Sequence, residues 1–111
     1  MDFGPLLRDQ RKARRLTQQQ LADAVGVDFT YISKVENGRA DPPSEETIRK
    51  IAAVLGTDSE HLLAHAGKLS PDLKEAAAAE PQLALLLRTI GKKRLRPDQY
   101  ERMRAIAEER D

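Results

Sequence analysis

Between Leu16 and Gly38 the chain reads LTQQQLADAVGVDFTYISKVENG, and no other stretch narrows the possible folds as far. Leu21, Ala22 and Val25 recur at the spacing of one helix face, and Ile32 and Val35 repeat the pattern further on. Gly26 falls between the two runs, where one helix has to stop and the backbone has to turn sharply. Thr17 is a good N-cap for the first run, and Gln20 three residues on completes a T-x-x-Q capping box. Asp28 takes the capping position of the second run, expected over residues 29–36, and Asn37-Gly38 ends it. A chain with this punctuation makes two short helices joined by a tight turn, with their apolar faces on a common core.

The flanking residues supply the rest of that core. Asp2 is expected to cap a helix from residue 3 or 4 to 14, with Pro5 tolerated in its first turn and Phe3, Leu6, Leu7, Ala13 and Leu16 inward. Ser44 caps a helix over 45–55, with Ile48, Ile51, Ala52 and Leu55 on its core face, and Gly56 ends it. Thr57 and Glu60 read as a second capping box, opening a helix over 58–66 with Leu62, Leu63 and Ala66 buried and Gly67 closing it. Five short helices therefore fill residues 1–67. Residues 68–111 form a helical extension of different character. Ser70 caps a helix over 71–79, and Pro81 starts one over 81–90 ended by Gly91. Pro97-Asp98 opens a last helix over 97–109. Leu83, Leu86, Leu87 and Ile90 make one apolar stripe there, and Tyr100, Met103 and Ile106 make another. The fold class is all-α.

Composition excludes more than it selects. The absence of cysteine removes disulfides, thiolate metal sites and a cysteine nucleophile, and suits a cytoplasmic protein. No glycine-rich phosphate loop and no triad arrangement is present, so no enzyme and no cofactor is expected. The N-terminal residues lack the apolar run of a signal peptide, and no stretch reaches the length of a membrane span. His61 and His65 are one helical turn apart, but two imidazoles need a further ligand to hold a metal, and no wider motif supplies one; none is expected. The net charge of +1 is weak evidence for a nucleic-acid partner.

Two helices at this spacing are a helix-turn-helix, whose second helix can enter the major groove of DNA. The text LRDQRKARRLTQQQLADAVGV, then YISKVENGR, then PSEETIRKIAAVLG resembles the Cro and phage-repressor class of helix-turn-helix regulators, the Xre family. The resemblance covers rather more than half of the chain and implies a five-helix, lambda-repressor-like DNA-binding domain. By position it implies that Phe29, Thr30 and Lys34 reach base edges, that Gln18, Asn37 and Arg39 touch the DNA backbone, and that Arg11 and Glu36 form a bracing ion pair. Thr17 and Tyr31 are added as backbone contacts. Asp28 departs from the Ser or Thr common at its position, and its charge disfavours a phosphate bond there.

The expected function is a sequence-specific transcriptional regulator, more readily a repressor, acting on double-stranded DNA as a homodimer at a palindromic operator. Leu83, Leu86, Leu87, Ile90, Tyr100, Met103 and Ile106 are the expected dimer contacts, since the five-helix bundle needs no further apolar face. The rival is an antitoxin or protein-interaction module that holds a protein partner through the same C-terminal helices. A metal-responsive sensor built on His61 and His65 is a weaker third reading.

Overall fold

The computed structural model describes residues 2–69 and 71–109. Eight helices are present among them and no strand: α1 Phe3–Ala13, α2 Gln18–Val25, α3 Phe29–Glu36, α4 Glu45–Leu55, α5 Ser59–His65, α6 Pro71–Ala79, α7 Pro81–Lys92 and α8 Pro97–Ala107. The chain divides after Leu69 into two compact units.

In the first unit α3 packs on α1 and α2, α4 packs on α2 and α5, and α5 returns to α1. Each helix contributes to one core: Phe3 and Leu7, Leu21, Ala22 and Val25, Ile32 and Val35, Ile48, Ile51, Ala52 and Leu55, then Leu62 and Leu63. A fully buried aliphatic side chain of this kind contributes about 1.5–3 kcal/mol. Leu6, Leu16, Tyr31 and Ala66 are only half-buried against it. Ala13, expected inside, is exposed, because it lies about 200° round the helix from Arg11, which carries the buried face in the last turn of α1.

The helix ends explain how the chain turns between core faces. Thr17 Oγ1 accepts from the Gln20 amide at 3.0 Å, and the Gln20 carbonyl oxygen accepts from the Thr17 amide at 2.8 Å. Gly26 closes α2 at φ 85°, a left-handed conformation that costs a side-chain-bearing residue about 1–2 kcal/mol. Ser44 bonds the Thr47 amide at the start of α4.

Four sequence expectations about caps are corrected. Asp2 and Asp28 occupy N-cap positions, but neither side chain makes the cap bond. Thr57 does not open α5. Its amide closes α4 on the Ala52 carbonyl, which denies Glu60 the return half of a capping box, and its hydroxyl makes no hydrogen bond; Asp58 takes the cap and accepts from the Glu60 amide at 3.1 Å. Gly91 does not stop α7, which runs on to Lys92; Gly91 is not among the glycines at positive φ and so cannot form a left-handed cap. The last helix ends at Ala107, two residues before the expected 109. The Ser70 cap lies outside the described residues.

Gly4 was not singled out from sequence, and its role is tertiary. A Cβ built there would lie 2.6 Å from the Val35 carbonyl oxygen and 2.8 Å from that of Glu36. Those atoms are backbone and cannot swing away, so α1 and the end of α3 touch only because residue 4 has no side chain. Gly4→Ala is expected to destabilise the protein by about 1–3 kcal/mol, the usual cost of overpacking. Urea denaturation followed by circular dichroism checks this.

In the second unit α6 and α7 pack together, and no described residue in it is buried.

Candidate nucleic-acid interface

The interface residues sit on a scaffold fixed by one buried polar knot. Arg11, on α1, is 6% exposed and Glu36, the last residue of α3, is 4% exposed. The Arg11 Nε donates to Glu36 Oε2 at 2.7 Å and Nη2 donates to Oε1 at 3.0 Å, a bidentate pair of the strong, charge-assisted kind. Arg11 Nη1 donates to the Leu16 carbonyl at 2.7 Å, in the turn that leads into α2. Hydrogen bonding to Glu36 raises the Arg11 guanidinium above its ordinary pKa, against the opposing effect of burial. One side chain thus ties α1, the α1–α2 turn and the end of α3 together.

Gln18 joins the same knot. Its Nε2 donates to Glu36 Oε1 at 3.0 Å, a contact across 18 residues of sequence that nothing in the sequence pattern announces. An amide nitrogen has two hydrogens, so one remains for an outside acceptor such as a phosphate. Thr17 is exposed; its oxygen accepts the cap bond, and its own hydrogen stays free to donate.

Along α3 the core-facing Ile32 and Val35 leave an outer face carrying Thr30 and Lys34, both exposed. Phe29 at the leading end is 44% exposed, a large apolar ring turned to solvent. Tyr31 is half-buried with its side chain packed against the core. After α3, Gly38 adopts φ 74° and the Arg39 amide closes back on the Lys34 carbonyl at 2.8 Å. That turn leaves Asn37 and Arg39 exposed beside the end of the helix. Chemically the outer face offers a hydroxyl, an ammonium and an apolar ring to base edges, and amide and guanidinium donors to phosphate.

The candidate association residues lie in the second unit. Leu86, Ile90, Met103 and Ile106 line one apolar groove of about 450 Å³ between α7 and α8, together with Leu95. Leu83, Leu87 and Tyr100 do not line it. Leu86 and Ile106 remain 45% and 66% exposed.

The two histidines face each other, with ring centroids 4.5 Å apart, and His65 Nδ1 lies 2.9 Å from the His61 carbonyl oxygen. Among the described residues no group of three or more histidine, aspartate or glutamate side chains is placed to hold a metal ion. None of the described helices is long and apolar enough to cross a membrane.

A helix-turn-helix domain family model matches residues 2–66. The chain is 44% identical over 78 residues to the uncharacterized HTH-type transcriptional regulator RghRB of Bacillus subtilis, covering 68% of this chain and 56% of that protein. It is 38% identical over 84 residues to the HTH-type transcriptional repressor RghR of the same organism, covering 76% and 62%. It therefore spans less than two thirds of the length of these relatives. Among solved structures it is similar to the clp gene regulator ClgR of Corynebacterium glutamicum, at TM-score 0.52 and 29% identity over 77% of this chain and 85% of that one. A further likeness, of fold alone, is to the SinR protein/SinI protein complex, at TM-score 0.53 and 21% identity over 95% and 93%. The chain belongs to the helix-turn-helix family, in its Cro and phage-repressor (Xre) class.

Proposed function

We propose that this protein is a cytoplasmic, sequence-specific transcriptional repressor that binds a palindromic operator as a homodimer, with α3 in the major groove. The observation that carries the reading is the outer face of α3: Thr30, Lys34 and Phe29 are exposed on a helix whose opposite face is locked into the core and whose last residue is held by Arg11. Rigid mounting matters because base readout needs side chains held in register with the groove. Phosphate contacts from Thr17, Gln18, Tyr31, Asn37 and Arg39 set that register, and Phe29, Thr30 and Lys34 choose the sequence. Phe29, with no polar atom, favours a thymine methyl, and Lys34 favours guanine O6 and N7. Repression follows from occupancy of the operator, in keeping with the similarity to the transcriptional repressor RghR.

Selection of bound duplexes from random DNA tests the reading. A palindromic consensus is expected, and no enrichment would sink it. On the selected site, Thr30→Ala and Lys34→Ala are each expected to weaken specific binding about 5- to 100-fold, the worth of one base contact, with a much smaller effect on non-specific DNA. Gln18→Ala is expected to weaken both alike. Gel-shift titration at fixed salt separates the two patterns.

The exposed apolar groove between α7 and α8 favours one second reading, in which residues 70–111 hold a different protein, as an antitoxin holds a toxin. A stoichiometric protein that co-purifies with the full chain, in place of a second copy, would select it.

A further inference from the structure

Asp28 stands at the leading end of the recognition helix with nothing to do inside the protein. Thr17, Ser44, Asp58 and Glu80 each bond an amide of the helix they precede. Asp28, in the equivalent position before α3, makes no such bond. It is exposed, and among the described residues no hydrogen bond or ion pair engages its carboxylate. It is followed directly by Phe29 and Thr30, the two residues best placed to meet bases.

A free carboxylate is out of place on a surface that approaches phosphates, where each nearby negative charge repels it. It is tolerable there if it meets a donor. In the major groove the donors are the exocyclic amino groups of cytosine and adenine; guanine and thymine present acceptors. Adenine places its N7 acceptor beside the amino group, where it opposes the second carboxylate oxygen. Cytosine presents its N4 amino group without an adjoining acceptor of its own. The N-terminal residues of a recognition helix are those that reach base edges.

We propose that Asp28 is a specificity-determining residue whose carboxylate accepts from a cytosine N4 amino group in each half-site and repels guanine or thymine at that position. The inference rests on the DNA-binding reading above and deepens it. It makes Asp28 both a contact and a filter. The charge lowers affinity for DNA in general and is offset only where the correct base is present.

The test compares random-duplex selections by the full-length wild type, Asp28→Ala and Asp28→Asn. The wild type should select cytosine at one position per half-site, next to those that lose their preference in Phe29→Ala and Thr30→Ala. Asp28→Ala should flatten that single position, cutting the preference for cytosine over thymine by about 10-fold or more, and should bind random duplex more tightly. Asp28→Asn should shift the position toward adenine, whose N6 and N7 match an amide. If Asp28→Ala returns the wild-type consensus with uniformly tighter binding, the carboxylate only repels phosphates and the proposal is overturned. If the wild type enriches nothing, the DNA-binding reading itself fails and this inference falls with it. The two failures are therefore distinct.

Discussion

Replacing Glu36 by alanine is expected to cost about 3–5 kcal/mol of stability, the loss typical when one partner of a buried ion pair is removed. The change strips three hydrogen bonds at once, from Arg11 Nε, Arg11 Nη2 and Gln18 Nε2. It also leaves the Arg11 guanidinium buried without a counter-charge. For a domain at the low end of the usual range of about 5–15 kcal/mol, that is enough to unfold a substantial fraction at growth temperature. Arg11→Ala should cost a similar amount, with the added loss of the bond to the Leu16 carbonyl that fixes the entry to α2. Arg11→Lys should not rescue, because an ammonium cannot reproduce the planar fork that reaches both carboxylate oxygens. A double variant, Arg11→Met with Glu36→Leu, should recover much of the loss, since two apolar side chains leave no buried charge. Urea unfolding of the four variants checks the series. Near-additive losses would mean that the pair is not a coupled unit.

The same knot shows which parts of the structure sequence could reveal. Thr17, Gln20 and Gly26 were readable because each acts on backbone within a few residues of itself, where the bond geometry is local. Gly4 was not readable. Its importance comes from the carbonyls of Val35 and Glu36, more than thirty residues away, and no local pattern marks such an approach. The Gln18 bond to Glu36 is missing from the sequence reading for the same reason. Thr57 and Asp58 are adjacent and both suited to capping, so propensity alone could not choose; the Schellman closure ties Thr57 into the end of α4 and leaves Asp58 to cap α5. Gly91 shows the converse, a residue type that ends helices only if the backbone enters the left-handed region. On α3 the periodicity of Ile32 and Val35 identified the outward residues by elimination, whereas the half-burial of Tyr31 depended on what packed beneath it.

Leu86→Glu is expected to separate two copies of the chain and lower operator affinity by a factor of about 100 to 10,000, while leaving the five-helix unit folded. The stripe of α7 is apolar without being buried: Leu86 is 45% exposed and lines the groove together with Ile90 and Met103. No described residue of this unit reaches full burial, so its helices lack a core of their own and gain most by covering that groove with another surface. A second copy would bring a second α3 about 34 Å from the first, one turn of DNA away, where both half-sites are read together. Once one half-site is bound, the other meets its reader at millimolar effective concentration, and that advantage is what a monomer forfeits. A carboxylate at residue 86 would have to give up its hydration to enter any such interface. Arg88→Ala, at an exposed position off the stripe, serves as the control and should leave association unchanged. Sedimentation equilibrium gives the mass, and gel shift gives the affinity on the same preparations. A variant that stays dimeric would move the interface away from α7. A wild type that is monomeric and carries a stoichiometric foreign protein on this groove would mean that the extension recruits a partner, leaving a single recognition helix with too few base pairs to find an operator unaided.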